Sequence, residues 1–165
     1  MNLRCLSKLS VLSLLVLGLL VPSAARASNI VADGDFATSG APWFTTQTNG
    51  NFPWGWGGGE ASTGCIGSTC ITGTTGELAD LDQDLTTTPG DYTLSFTYNP
   101  AGGTPTELEV LFGGAEVTDL VNVADSTVTY SYDVVATSAS TELTFLGRQD
   151  PGFDTLTDVD RKSVV

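Results

Sequence analysis

The stretch of residues 81–98 constrains the fold most strongly, because its apolar residues recur at every second position. In its first half apolar residues alternate with Asp, and in its second half aromatic and aliphatic residues alternate with Thr and Ser. A period of two with such residues is typical of strands that bury one face. Pro89 and Gly90 predict a turn between the halves, since Pro presets φ and Gly accepts a positive φ. Two strands are not stable alone in water, so the rest of the chain must supply an opposing sheet.

Shorter runs with the same alternation follow at residues 108–112, 117–123, 128–134 and 142–146, and Leu156 and Val159 mark a last strand. No segment after residue 27 keeps a period of 3.6 residues. Several short antiparallel strands without helices predict an all-β domain, a β-sandwich or a barrel. We expect a core that is formed by the inward positions of these strands and by one residue before them: Phe36, Leu85, Leu94, Phe96, Val110, Phe112, Tyr130, Tyr132, Leu143 and Phe145.

Residues 1–27 have the features of a secretory signal peptide. Arg4 and Lys8 precede an apolar run at residues 11–21, and Ala25-Arg26-Ala27 offers an A-x-A cleavage site. The run is short for a membrane span, although an uncleaved signal anchor is the alternative. We therefore predict export to the periplasm, the cell surface or the medium, a β-sandwich domain at residues 28–160, and a short tail at residues 161–165.

The charge is strongly negative, with 6 basic and 19 acidic residues and a net charge of −13. Three basic residues lie in residues 1–27, so the remaining 138 residues carry 3 − 19 = −16. A surface this acidic repels nucleic acid and anionic lipid. We expect no nucleic-acid partner and no membrane partner after signal cleavage. Neutral glycans and divalent cations remain compatible with this charge.

Cys65 and Cys70 are the two cysteines that follow the predicted signal peptide. In an exported protein an isolated pair predicts a disulfide. A metal site is the alternative, but the sequence has no His and only these two thiols to offer as soft ligands.

Residues 28–36 are expected to start with a short apolar strand that breaks at Asp33-Gly34. Residues 37–76 are rich in Gly, Thr and Ser, and we predict a long loop here, with short strands near residues 43–46 and 71–74. Trp54 and Trp56 lie in it, separated by Gly55 and followed by Gly57, Gly58 and Gly59, and Glu60 comes next. Flat aromatic rings stack on the C–H faces of sugars, and Trp offers a large area at little rotamer entropy. Trp54, Trp56 and Glu60 are therefore the candidate glycan-binding residues. The alternative is that one or both rings cap the core.

Catalysis is disfavoured because the commonest general base, His, is absent. A Ser nucleophile would depend on Lys162, the only Lys after residue 27, and the many acidic residues are scattered over strands and turns. Asp80, Asp82 and Asp84 do not fit an EF-hand loop, and we interpret them as the solvated face of one strand that blocks edge pairing. We predict no enzyme.

Three sequence segments carry a resemblance to a known family. The D-G-D-F of residues 33–36 resembles the N-G-x-F-E opening of galactose-binding-like jelly rolls. Residues 81–96 resemble the central strands of secreted bacterial proteins of that type, and residues 136–159 resemble their closing strands. The ordered set is similar to PEP-CTERM proteins and to plant cell-wall proteins of the DUF642 type. It implies an antiparallel jelly-roll sandwich, related to carbohydrate-binding modules, with Trp43 in the core.

The resemblance also implies a calcium site, with Asp35 and the last-strand Asp158 as candidate ligands. Ala37 stands where the family motif has Glu, so we expect this site to be weak or unoccupied, and no other cofactor is indicated. The chain ends at Val165 without the V-P-E-P sorting signal. We predict a secreted, non-catalytic protein that binds a neutral glycan or exopolysaccharide. A purely structural surface or biofilm-matrix role is the alternative, and an accessory domain of a polysaccharide hydrolase is a third reading.

Overall fold

A computed structural model describes residues 28–45, 52–65 and 78–164, with the backbone alone at residues 52 and 65. Its strands are β1 (Phe52–Gly57), β2 (Glu60–Cys65), β3 (Ala79–Thr86), β4 (Gly90–Asn99), β5 (Thr106–Phe112), β6 (Ala115–Val121), β7 (Val128–Ala136), β8 (Ser140–Gln149) and β9 (Gly152–Ser163). Within these ranges no helix is long and apolar enough to cross a membrane.

The strands form two antiparallel sheets, which confirms the predicted all-β sandwich. One sheet has five strands in the order β1-β2-β9-β4-β7, and the other has four strands in the order β3-β8-β5-β6. The alternation of the sequence sets the two faces of each strand: β4 buries Tyr92, Leu94, Phe96 and Tyr98 and turns the residues between them outward.

The core lies between the sheets and includes most of the predicted residues. Phe96 of β4 meets Phe145 of β8 edge to face, with ring centroids 5.4 Å apart. Trp43, as expected, is buried against Phe36 and Phe145. Tyr130 and Tyr132 are only half-buried, because β7 is an edge strand and their rings lie at the open side of the sandwich.

The alternating carboxylates of β3 behave as the sequence indicated. Leu81, Gln83 and Leu85 are buried, while Asp80, Asp82 and Asp84 lie on the outer face of the four-stranded sheet.

Three predicted boundaries need correction. The opening residues 28–36 form turns rather than a strand, although their backbone bonds to β9 through Ile30 and Gly34. The predicted loop contains the hairpin β1–β2, and at residues 43–45, the described part of the predicted short strand, Phe44 forms an isolated bridge with Asp82. The predicted tail is also wrong, because β9 continues to Ser163 and Arg161 is fully buried.

Two of the predicted segments lie outside the described residues. These are the signal peptide at residues 1–27 and the short strand near residues 71–74.

Candidate functional site

A bulge in β9 shapes the outer face of the five-stranded sheet. Thr97 of β4 pairs with Thr157, and Ser95 pairs with Asp160, so β9 has one residue more than β4 between these pairs. Asp158 lies in this extra length and has φ = 53°, in the left-handed region that Asp tolerates better than most residues. Bulges of this kind bend a strand and redirect its side chains. Here the bulge brings Asp158 to the same surface as Asp160.

The opening segment forms a wall beside this bulge. The Val159 N–H donates to the Gly34 carbonyl at 2.8 Å, and the Asn29 side-chain amide donates to the Val159 carbonyl at 3.1 Å. A Cβ on Gly34 would lie 2.0 Å from the Val159 carbonyl oxygen, so only glycine allows this approach. The glycine of the opening D-G-D-F sequence is therefore required by packing against β9.

Between this wall and the neighbouring strands runs a polar groove of about 430 Å³, which we call the bulge groove. Strands β4 and β7 contribute hydroxyl groups to this groove, and the opening segment and β9 contribute carboxylates and an amide. Its lining includes Asn29, Asp35, Ser95, Thr97, Thr129, Asp158 and Asp160.

The outer face around the bulge groove is made mainly of short hydroxylated side chains. The strand registers place Thr129, Thr97 and Thr157 in one row, and the hydroxyls of Thr97 and Thr129 lie 2.9 Å apart. The next row towards the hairpin contains Asn99, Thr155 and Ser62.

An aromatic side chain, that of Phe153, also stands on this face. Phe153 has the same strand parity as Thr157 and is 38% exposed. Four residues of strand separate the two positions, which is about 13 Å at 3.3 Å per residue. The face therefore combines a polar groove with an exposed ring at a distance that a short oligosaccharide spans.

The structure separates the three residues that the sequence proposed for glycan binding. Trp54 is only 2% exposed, and its indole N–H donates to the Ala79 carbonyl at 2.8 Å. Its ring covers Gly147 of β8 so closely that a Cβ there would lie 2.4 Å from it. A buried ring offers no face to a ligand, so the prediction of a stacking role for Trp54 is wrong. Trp54 instead caps the core, which was the alternative.

Trp56 and Glu60 remain accessible on the β1–β2 hairpin. Trp56 is half-buried, and its indole N–H donates to the Gly40 carbonyl at 3.0 Å. Glu60 is exposed at the start of β2. The hairpin therefore keeps one partly exposed ring beside one carboxylate, and their role in binding stays a prediction.

The candidate calcium ligands Asp35 and Asp158 do line the same groove. Both are already engaged locally, since Asp35 accepts the Ala37 N–H at 3.4 Å and Asp158 accepts the Thr157 hydroxyl at 3.3 Å. In the described part of the chain no three acidic, His or Cys side chains are grouped so that they could hold a metal ion. Calcium takes six to eight oxygens, so these residues fit it poorly, and the weak site stays a prediction.

The predicted disulfide between Cys65 and Cys70 stays a prediction. Cys70 and the side chain of Cys65 lie outside the described residues.

The inner side of β9 carries two buried ionisable residues, Asp154 and Arg161, that were not predicted from the sequence. Asp154 accepts a hydrogen bond from the Tyr98 hydroxyl at 3.0 Å. Burial raises the pKa of Asp154 to about 7, against the lowering effect of hydrogen bonds from Tyr98 and the Thr63 backbone. Burial and the adjacent Asp154 carboxyl also raise the pKa of Tyr98. This carboxyl is enclosed in the core and is not part of the bulge groove.

Sequence reasoning missed Asp160, Ser95, Thr97 and Phe153 as site residues. Each belongs to an alternating strand, where an outward polar residue is the ordinary expectation. The sequence does contain one indication of this site. Leu156 and Val159 are three residues apart, so a strand of regular alternation cannot bury both side chains on one face. A break in parity inside a strand indicates a bulge.

No protein-family model matches the sequence, and no curated protein matches it. The fold is similar to that of TmCBM61 in complex with beta-1,4-galactotriose, with a TM-score of 0.60 and 12% identity over 82% of this chain and 99% of that one. A putative sugar binding protein from Bacteroides thetaiotaomicron has a TM-score of 0.59 and 15% identity, over 82% of this chain and 100% of that one.

The enzymatically active domain of tailspike protein 4 from bacteriophage CBA120 has a TM-score of 0.56 and 14% identity. The similar part is 82% of this chain but only 21% of the tailspike chain. At these identities the three likenesses establish a shared β-sandwich fold.

Proposed function

We propose that the protein is an exported, non-catalytic carbohydrate-binding β-sandwich that binds a neutral glycan or exopolysaccharide on the outer face of its five-stranded sheet. The bulge groove is the observation that carries this proposal. Its carboxylates accept hydrogen bonds from sugar hydroxyls, and its Ser, Thr and Asn side chains can both donate and accept them. Phe153 supplies the flat apolar surface that stacks on a sugar ring.

The comparisons support a sugar ligand at the level of fold. One similar structure holds beta-1,4-galactotriose, and another is a putative sugar binding protein. The tailspike domain is an enzyme domain of which this chain matches only a part. Fold alone does not carry an activity, so the groove and not the likeness is the basis of the proposal.

The arrangement of acids favours binding over hydrolysis. A general acid for glycoside cleavage needs a carboxyl whose pKa is raised and that reaches the substrate. Asp154 has a pKa of about 7, but it is fully buried between the sheets. It therefore cannot touch a glycan in the bulge groove.

We extend the proposal to the finer points that the sequence indicated. Residues 1–27 would direct export, Cys65 and Cys70 would be oxidised to a disulfide, and the chain would belong with secreted proteins of the PEP-CTERM type. Free-thiol titration of exported material tests the disulfide, because two reactive thiols per chain would contradict it. A melting temperature that falls when a chelator is added would show a stronger calcium site than we propose.

Affinity electrophoresis in gels that contain neutral polysaccharides tests the site. We expect the wild type to be retarded, and Phe153→Ala and Asp160→Asn each to weaken retention about tenfold, which is about 1.4 kcal/mol of binding free energy. Phe44→Ala is the matched control, because Phe44 is 62% exposed but lies beside Asp82 on the other sheet.

Trp56→Ala separates the two candidate surfaces. Loss of retention in this variant, with Phe153→Ala unchanged, would move the site to the hairpin. A wild type that is retarded by no polysaccharide would favour the purely structural matrix role. Sugar release from a retarded polysaccharide would instead contradict the non-catalytic part of the proposal.

A further inference from the structure

The edge strand β7 leaves one of its two backbone sides without a partner in the described part of the chain. It pairs with β4 on one side, in continuous register from Gly90–Ala136 to Tyr98–Val128. A free edge of this length presents a row of N–H and C=O groups that can pair with another strand.

The other three edges carry features that oppose such pairing. Pro53 and the register shift beside it interrupt β1. The three aspartates of β3 line one side of that strand, and Phe44 covers part of its edge. Strand β6 is short, carries Glu116 and Asp119, and has a register shift against β5. Pro, charge and bulges are the usual means by which proteins block edge association.

Strand β7 has fewer of these features. Its nine residues, VTYSYDVVA, contain no Pro, no Gly and a single charge, at Asp133. Val128 and Val135 are exposed on it, at 39% and 60%. It is the edge strand best suited to pair with another strand among those that the structure describes.

The strand is also complementary to itself. An antiparallel pair centred on Tyr132 overlaps all nine residues and sets Ser131 opposite Asp133 of the second copy. The exposed Val135 then lies opposite Thr129 of the second copy. This register keeps the two aspartates apart, and like charges directly opposite each other would destabilise the pair.

A cleft of about 320 Å³ next to this edge favours the same arrangement. It lies between β6 and β7, and its apolar lining includes Phe112, Val117, Tyr132 and Val134. Tyr132 would stand at the two-fold axis, so the two clefts would meet there and part of their apolar surface would be covered.

We propose that β7 pairs antiparallel with β7 of a second copy of this chain. The two five-stranded sheets then continue into one sheet across the axis. Such an isologous contact closes after two copies. A single strand pair lies at the low end of interface sizes, so the dimer is weak and concentration-dependent. It places two bulge grooves on one continuous face, which would raise the avidity for a polymer.

Light scattering after size-exclusion chromatography, over a range of protein concentrations, tests the pairing. We expect the apparent mass to rise towards that of two chains, and to do so at lower concentration in high salt, because salt screens the net charge of −13.

A charge exchange at one residue tests the register. Ser131→Glu places a second carboxylate directly opposite Asp133 of the other copy, and the two-fold axis repeats this contact. The repulsion should weaken dimerisation at least tenfold. Ser131→Lys sets Lys opposite Asp133 of the second copy and should leave the dimer as strong as the wild type or stronger. Ser140→Glu, at an exposed position on β8, adds the same charge away from the edge and should have no effect.

Thermal melts show whether each variant is folded. A wild type that stays monomeric at every concentration would overturn the proposal and leave this edge to a strand of another protein. A dimer that responds alike to Ser131→Glu and to Ser140→Glu would overturn the β7 pairing.

Discussion

The two sheets of the sandwich differ in how densely their outer faces are charged and in what they bury. The four-stranded sheet has a mostly apolar inner face, and it turns a set of carboxylates outward: Asp80, Asp82, Asp84, Glu107, Glu109, Glu116, Asp119 and Glu142. The outer face of the five-stranded sheet has more hydroxyl groups and fewer carboxylates, among them Asp133, Asp158 and Asp160. This sheet also buries Asp154 and Arg161 on the inner side of β9.

This difference shows in the electrostatics of each side. On the acidic face, partial burial raises the pKa of Asp82, Glu107 and Glu109, and neighbouring carboxylates raise it further. Inside the five-stranded sheet, the guanidinium carbon of Arg161 lies 3.4 Å from the ring centroid of Tyr92 and 4.4 Å from that of Phe112. The three guanidinium nitrogens have no hydrogen-bond acceptor in the described part of the chain.

The comparison indicates what each sheet can do. A crowded acidic face repels anions, and it holds few groups that both donate and accept hydrogen bonds. The hydroxylated face can exchange hydrogen bonds with a neutral polymer at little electrostatic cost. We expect the buried groups of β9, Asp154 and Arg161, to give the largest responses to pH and to substitution.

The largest expected effect concerns the buried Asp154. The pKa of Asp154 is about 7 in the folded chain, against 3.8 for an ordinary Asp side chain. Between pH 3.8 and pH 7 the folded state therefore keeps a proton that the unfolded state has lost. Stability is therefore highest below about pH 4, falls as pH rises to about 7, and is level above that. At 1.36 kcal/mol per pH unit the upper limit of the loss is about 4 kcal/mol.

Melting temperatures at pH 8, 6 and 5 measure this effect. The wild type should melt at higher temperature as pH falls, and Asp154→Asn should remove most of that dependence. The residual slope would come from Asp82, Glu107 and Glu109, whose raised pKa values act in the same direction. An unchanged pH dependence in Asp154→Asn would contradict the assignment.

An intermediate effect is expected at the buried cation. Arg161→Ala should destabilise the protein by about 3 kcal/mol, because it removes a large side chain packed between two rings. Arg161→Met should stay within about 1 kcal/mol of the wild type or exceed it, since replacing a buried charge by an apolar group of similar volume is often neutral or stabilising. Denaturant titration at fixed pH compares the two variants. Equal losses in both would show that the charge itself is needed.

Most strands of the sandwich could be predicted from the sequence, because the alternation of apolar residues within each strand marks its buried face. Sequence reasoning failed for the β1–β2 hairpin, whose glycines and short polar residues hide any alternation and whose partner β9 lies about 90 residues away. It failed for Arg161 because a charged residue near the end of a chain is most often exposed. The bulge groove is joined from the opening segment, β4, β7 and β9, so only tertiary packing brings its residues together.

The smallest expected effect concerns the acidic face. Glu109 lies opposite Asp119 on β6, and burial, Asp119 and Glu116 raise its pKa. Like charges directly opposite on a sheet are destabilising, so Glu109→Gln should stabilise the protein by about 0.5 kcal/mol at low salt. Glu60→Gln is the matched control, because Glu60 is exposed on the hairpin, away from this face. Added salt screens exposed charges and should bring the Glu109→Gln difference close to zero. A difference that persists in high salt would show that Glu109 is destabilised by burial rather than by its neighbours.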